Sequence, residues 1–138
     1  MIQKLFLPAN QLRIEGAAQF ALAVWGYRQV DGNWIGFVLL FLVPDLSWLG
    51  YLGGSQIGAA VYNIVHNNFF PLALAAVGFV DGDLLAIALA LIWFAHIGAD
   101  RLLGFGLKYP TGFKDTHLGT LAGSEKPKWP QKSPTPRN

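Results

Sequence analysis

From Trp34 to Leu84 the chain carries three formal charges, Asp45, Asp81 and Asp83, and no Lys or Arg. A soluble helical domain covers its surface with charge, and about 25% of a typical soluble chain is Asp, Glu, Lys or Arg. Here the charged fraction is 13%, against 53% apolar residues and 14% aromatics. A stretch this oily cannot solvate itself in water. The alternative, a soluble bundle with a very apolar core, leaves these residues without a polar face. The solvent that suits them is a bilayer.

Crossing a hydrocarbon core of about 30 Å takes about 20 largely apolar residues. Four stretches qualify: 14–30 "IEGAAQFALAVWGYRQV", 33–52 "NWIGFVLLFLVPDLSWLGYL", 56–80 "QIGAAVYNIVHNNFFPLALAAVGFV" and 84–107 "LLAIALALIWFAHIGADRLLGFGL". The expected fold is all-α, an integral membrane bundle of four transmembrane helices in one domain, residues 1–120. "VDGN" and "VDGD" close the first and third spans. Asp-Gly pairs favour turns because glycine accepts positive φ, so two hairpins with both tips on one side are expected. Pro44 and Pro71 are expected to kink the second and third spans, since each removes a helical hydrogen bond. "HNNFFP" could instead end a helix, leaving residues 56–68 short or re-entrant. Residues 121–138 read as a disordered basic tail, with four Lys or Arg and four prolines in "SEKPKWPQKSPTPRN".

With four spans the termini share a side. That side collects nine of the ten basic residues, and the opposite side holds only Arg28, with Asp31, Asp81 and Asp83. The positive-inside rule then places both termini in the cytoplasm, in the cell (inner) membrane. No charged n-region with a cleavage site stands out, so the N-terminus is read as mature. The chain has no cysteine, which excludes disulfide and thiolate chemistry. The expected partners are the lipid bilayer and further copies of the chain in a homo-oligomer, not nucleic acid.

Ionisable groups at membrane depth cost about 2.5–3.5 kcal/mol each on insertion scales. They persist where they pair, line a cavity or do chemistry. His96 and Asp100 are four apart and share a helix face, with Arg101 one step round. They can serve as a general-base pair, a proton relay or metal ligands. The same residues also allow an Asp100–Arg101 salt bridge beside a neutral His96. Tyr62, Asn63, His66 and Asn67 form a polar stripe on the third span, with Tyr62 and Asn63 candidates for substrate contact. Interhelical hydrogen bonding explains that stripe equally well. Asp45 follows Pro44, where it and Ser47 can cap a new turn or face Asp100 as partner or ligand. Glu15 begins the first span, with Arg13 close enough to neutralise it. After the fourth span, Lys108, a third candidate for substrate contact, and His117 stand in "LKYPTGFKDTHLG", a segment that folds over the cytoplasmic mouth or forms a surface loop. Gly54 and Gly58 make a small-xxx-small pair, which lets helices approach closely.

These groups gather in the cytoplasmic half. His66, His96, Asp100 and Asp45 could hold a divalent ion, because imidazole and carboxylate suit Zn, Mn or Fe. No His-Glu-x-x-His signature is present. Three functions fit. One is a metal-dependent hydrolase acting on an amphiphilic substrate, with Arg101 holding an anionic group. Another is an oligomeric transporter or proton-coupled carrier using His96 and Asp100. The third is a structural or accessory membrane protein whose polar residues lock helices together.

The segments "PDLSWLGYLGG", "GAAVYNIVHN" and "LIWFAHIGADRLLGFGLKYPTGFKDTHLG" resemble a family of small bacterial membrane proteins catalogued as domain of unknown function 4260. The resemblance spans roughly residues 11–120. It implies a four-span membrane protein and no assigned activity. Its motif positions fall on Asp45, Tyr62, Asn63, His66, His96, Asp100, Arg101, Lys108 and His117, the residues already singled out by their cost.

Overall fold

The structure is a computed structural model, and it describes residues 7–110, 115, 116, 119 and 120. His117 and the 121–138 segment lie outside the described residues. Helix α1 covers Pro8–Gln29, α2 Trp34–Phe41, a 3-10 segment Val43–Gly53, α3 Ser55–Val65, α4 Phe69–Asp81 and α5 Leu84–Leu103. A two-residue antiparallel ladder follows, β1 Asp115–Thr116 with β2 Gly119–Thr120. Apart from it, the elements are helical.

Local chemistry sets the helix starts. Pro8 opens α1, where its fixed φ suits a first turn and its missing N–H has no helical partner. Asn33 caps α2 by accepting from the Ile35 and Gly36 amides at 2.9 and 3.1 Å. Asp83 caps α5 in the same way from Leu85 and Ala86, at 2.9 and 3.2 Å. The two expected Asp-Gly turns differ. Gly82 takes φ 69° in the second, as expected, but in the first Asp31 takes φ 50°. Gly32 is needed for contact instead. A Cβ there would collide with the Tyr27 ring, whose hydroxyl donates to the Asn33 carbonyl at 2.9 Å. Aspartate tolerates the left-handed region well enough to make the turn.

The second and third expected spans are interrupted rather than simply kinked. At Leu42 the second changes from α to 3-10, and Pro44 falls in the first turn of the new segment. The third ends as a helix at Val65 and restarts at Phe69, so Pro71 also lies in a first turn, where no hydrogen bond is lost. Each half-helix is too short to cross a bilayer, since 11 residues of α-helix rise only about 16 Å. Joined, the halves are long enough. Among the described residues, three stretches are long and apolar enough to cross a membrane: Trp34–Gly53, Ser55–Asp81 and Leu84–Leu103. Helix α1 has 22 residues but carries Arg13, Glu15 and Arg28, and it is not among them.

Backbone broken at membrane depth must find partners within the protein. The Trp93 indole donates to the Val65 carbonyl at 2.7 Å, and the Asn67 carboxamide oxygen accepts from the Phe69 amide at 2.7 Å. Gln19 and Asn68 exchange amide hydrogen bonds, each 3.1 Å, and Gln19 also donates to the Phe94 carbonyl. Helix α5 packs between α1 and α4, while the 3-10 segment packs along α3. Where α1 crosses α5, a Cβ on Gly98 would lie 2.7 Å from the Phe20 amide nitrogen, and one on Gly16 2.7 Å from the Leu102 nitrogen. Only glycine permits that backbone approach. Gly58 likewise seats the Tyr51 ring, but Gly54 makes a turn at φ 105° with nothing close to it, so the expected Gly54–Gly58 packing pair is one packing glycine and one turn glycine.

The interior mixes small residues, Ala23, Ala59, Ala90 and Ala95, with Tyr27, Phe37, Tyr62, Ile92 and Ile97. Large apolar side chains face outward, with Leu52 88% and Phe79 82% exposed. Water would oppose that arrangement, and lipid accepts it. The chain is therefore an all-helical protein whose apolar surface associates with a membrane.

Candidate functional site

Four ionisable side chains from three elements meet at one point. Helix α5 supplies His96 and Asp100, one turn apart. The 3-10 segment supplies Asp45 from its first turn, and His66 is the C-cap of α3. Asp45 and His66 thus both stand where a span is interrupted. The Nε2 atoms of His66 and His96 are 3.2 Å apart. His66 Nε2 lies 3.4 Å from Asp100 Oδ2 and 3.9 Å from Asp45 Oδ1. His96 Nε2 lies 3.5 Å from Asp45 Oδ1 and 3.6 Å from Asp100 Oδ2. All four atoms fall within 4.8 Å of one another.

Neighbours fix the rings. His66 Nδ1 donates to the Tyr62 carbonyl at 3.0 Å, which leaves the lone pair on Nε2, aimed at the cluster. The Tyr62 ring stacks on His66 at 3.7 Å and 11°, and its hydroxyl donates to Asp100 Oδ2 at 3.3 Å. Phe41 packs edge-on against His96 at 5.3 Å. His96 is 2% exposed, and its Nδ1 is buried with no hydrogen-bond partner among the described residues. Two inward-facing imidazole nitrogens and two carboxylates make a set of ligand atoms pointed at one another. Without an ion, the imidazoles can share one proton, with His96 Nε2–H donating to His66 Nε2.

The set fits a divalent ion. Ligands at 2.0–2.2 Å around a tetrahedral centre are separated by roughly 3.4 Å. The five separations that involve a histidine run from 3.2 to 3.9 Å, and the two carboxylate oxygens lie within 4.8 Å of each other. Two carboxylates balance a 2+ charge, and neutral imidazole with carboxylate suits Zn, Mn or Fe. The bond from His66 to the Tyr62 carbonyl is the outer support such ligands need.

One side of the cluster opens into a cleft of about 300 Å³. Asp45, His96 and Asp100 contribute to it, Leu42, Trp48 and Phe105 form apolar walls, and Lys108 stands at its edge. Lys108 is 4% exposed. Asn63 grips its backbone from both sides, accepting from the Lys108 amide at 2.6 Å and donating to its carbonyl at 2.8 Å. A bridge to Thr116 continues the grip. The ammonium lies 5.1 Å over the Tyr62 ring. Burial pushes it below the ordinary lysine range, and the Asp100 charge opposes that shift. A second cavity of about 400 Å³, lined by Pro44, Ser47, Val65 and Trp93, is almost wholly apolar. Residues three apart eclipse in a 3-10 helix, so 42, 45 and 48 face the cleft while 44 and 47 face this cavity.

Of the residues singled out from the sequence, Asp45, His66, His96 and Asp100 come together, with Tyr62 supporting two of them. Asn63 acts through Lys108. Arg101 does not line the cleft. It faces a crevice of about 10 Å³ beside Tyr62 and Asp100, and its electrostatic partner is Glu15 of α1. Glu15 is correspondingly outside the cluster. Trp48, Phe105 and Trp93 escaped the sequence reading. Tryptophans in an oily chain carry no signal that separates a cleft wall from a lipid-facing side chain.

No curated protein and no solved structure matches the chain. The family model described as domain of unknown function (DUF4260) matches residues 9–121, a range that contains the whole cluster and Lys108, and the chain belongs to that family.

Proposed function

We propose that Asp45, His66, His96 and Asp100 hold one divalent ion and that the protein is a membrane hydrolase acting on an amphiphilic substrate. With four protein ligands, an ion that expands to five or six ligands, as Mn or Fe can, would keep a position free to polarise an ester oxygen and activate water for attack. The observation that carries this reading is the mutual spacing of the four donor atoms, supplied by three separate elements. Metal analysis of protein purified in mild detergent tests it. About one ion per chain is expected, lost in both His66→Ala and His96→Ala. Protein that stays metal-free after incubation with Zn²⁺, Mn²⁺ and Fe²⁺ sinks the reading.

The topology belongs to the same proposal. Helix α1 lies along α5 through the Gly16–Gly98 contact, and 22 residues rise about 33 Å. It is read as the fourth span, with its charged residues toward the ends and against α5. Both termini are then read as cytoplasmic, a reading that the nine basic residues on that side support. The chain lacks cysteine, so Asp81→Cys gives a clean probe. A membrane-impermeant maleimide should label it from outside.

One observation favours a second reading. Carriers bind ions where discontinuous helices break near the membrane midplane, and Asp45 and His66 occupy two such breaks. An oligomeric carrier would show metal- or proton-driven flux in liposomes. A stoichiometric ion without flux favours the hydrolase.

A further inference from the structure

A reaction at the ion needs a coordination position that an oxygen of substrate or water can take. Expansion of the shell is one way to provide it. Exchange of a protein ligand is another, and it keeps the coordination number. We propose that His96 is the exchangeable ligand: it helps to hold the resting ion and gives up its place, on the cleft side, to the incoming oxygen. The inference rests on the metal reading of the preceding section.

Charge narrows the choice to the histidines. Asp45 and Asp100 offset the two positive charges of the ion within its own shell, where an uncompensated charge is costly. Replacing a carboxylate by a neutral oxygen breaks that offset, and replacing a neutral imidazole keeps it. Three observations then separate the two rings. The first is outer support. A ring that ligates through Nε2 carries its hydrogen on Nδ1, and ligating histidines almost always donate that hydrogen to an acceptor. On His66 it meets the Tyr62 carbonyl at 3.0 Å. On His96 it meets none, because Nδ1 is buried with no hydrogen-bond partner among the described residues. A buried donor left without an acceptor penalises the ligated form, and that penalty falls on His96 alone.

The second observation is ring packing. Tyr62 stacks flat on His66 at 3.7 Å and 11°. His96 meets Phe41 at 5.3 Å and His66 at 5.2 Å, both edge to face. Helix α5 fixes the backbone of His96, but its ring lacks that flat support. The third is access. His96 lines the cleft of about 300 Å³ with Asp45 and Asp100. His66 faces the crevice of about 10 Å³, too small for more than one water. An incoming molecule therefore reaches the ion from the His96 side. In the exchange, the bond from His96 Nε2 to the ion breaks and a bond from the new oxygen forms. Both ligands are neutral donors of one lone pair, so the charge of the shell is unchanged and nothing is oxidised or reduced.

The test uses the full chain in neutral maltoside detergent, loaded with Zn²⁺, with metal content measured on the same sample. Nitrogen NMR of isotope-labelled histidine reports which ring nitrogens hold the ion. The chain has three histidines, so His117→Gln leaves two to assign, and the hydrogen-bonded Nδ1–H marks His66. Both Nε2 atoms should be zinc-bound at rest. The probe is dodecanohydroxamate, a single-chain amphiphile with metal-binding oxygens. Adding it should return His96 Nε2 to its unligated position and leave His66 Nε2 bound. Two rings that both stay bound mean that the shell expands, and they overturn the exchange. Release of His66, release of both rings, or a probe that does not reach the ion overturns it as well. In competition with a zinc chelator, His66→Ala should weaken binding at least roughly tenfold more than His96→Ala, since only His66 also loses outer support. Equal losses count against the inference, and if either variant fails to fold, the spectra of the chain with both rings intact decide alone. All these outcomes leave the metal reading standing. A sample that holds no ion sinks that reading and this inference with it.

Discussion

Helix α5 runs unbroken through the bundle, whereas the 3-10 segment and α3 meet it as pieces of interrupted spans. The four donors divide evenly between them. His96 and Asp100 ride on a continuous helix whose backbone presses on α1 through Gly98 and Gly16. His66 sits at an interruption held by side-chain hydrogen bonds such as Trp93 to Val65, and Asp45 where the backbone changes from α to 3-10. Half of the site is therefore fixed by backbone contact, and half is held by bonds that can lengthen. An interruption is costly in lipid, but it turns a side chain sideways into the bundle where a regular helix could not.

Breaking the rigid half should have the largest effect. Gly98→Val sets branched carbon against the Phe20 backbone at a distance no real Cβ occupies. Overpacking commonly costs about 1–3 kcal/mol, and more where backbone must move. Thermal unfolding in detergent should show a collapse in stability, with loss of ion content as a consequence. If Gly98→Val unfolds like the parent chain, α1 and α5 do not make this contact. Next in size is the ion that the cluster is proposed to hold. Saturation at one hundred times the dissociation constant adds about 2.7 kcal/mol to a folded state that alone binds it. Hydrogen exchange should slow on Zn²⁺ addition chiefly in residues 43–66 and little in 84–103. Uniform protection would erase the distinction between the two halves.

The sequence made the membrane setting and the site plain for one reason: ionisable residues are so expensive in an oily chain that each one needs an explanation. Asp45, His66, His96 and Asp100 stand out on cost alone, and the i, i+4 spacing of His96 and Asp100 already puts them on one face. The interruptions were harder to read. Pro44 and Pro71 mark them, but a proline reports a lost donor and not whether the helix bends or stops. At residues 66–68 the outcome turns on Trp93, Gln19 and Phe94, which reach the break from other helices. No local pattern in "VHNNFFP" carries that information. Arg101 misled for a related reason. Its position beside Asp100 suggested the cleft, yet one residue is 100° of helix, enough to turn it toward Glu15.

Smaller effects should separate the two halves more finely. Trp93→Phe keeps the ring but removes the donor to the Val65 carbonyl. A buried carbonyl left unpaired costs about 1–3 kcal/mol. Because His66 is the next residue, ion affinity should also fall, within the roughly 10–100-fold range typical of lost outer support. Competition with a fluorescent zinc chelator measures that directly. Unchanged affinity would show that the break is held some other way.

Asp83→Ala probes the opposite end of α5. Its carboxylate caps the Leu85 and Ala86 amides, and losing such a cap costs about 1 kcal/mol. Asp83 precedes His96 by 13 residues, about 20 Å along the helix. A continuous helix held by the Gly98 contact in its last two turns should not pass fraying at its start on to them. The unfolding temperature should therefore drop by a few degrees, while ion content and affinity stay those of the parent chain. An ion lost in Asp83→Ala would mean that α5 shifts as a rod when its first turn loosens. The rigid half of the site would then be no more rigid than the broken one.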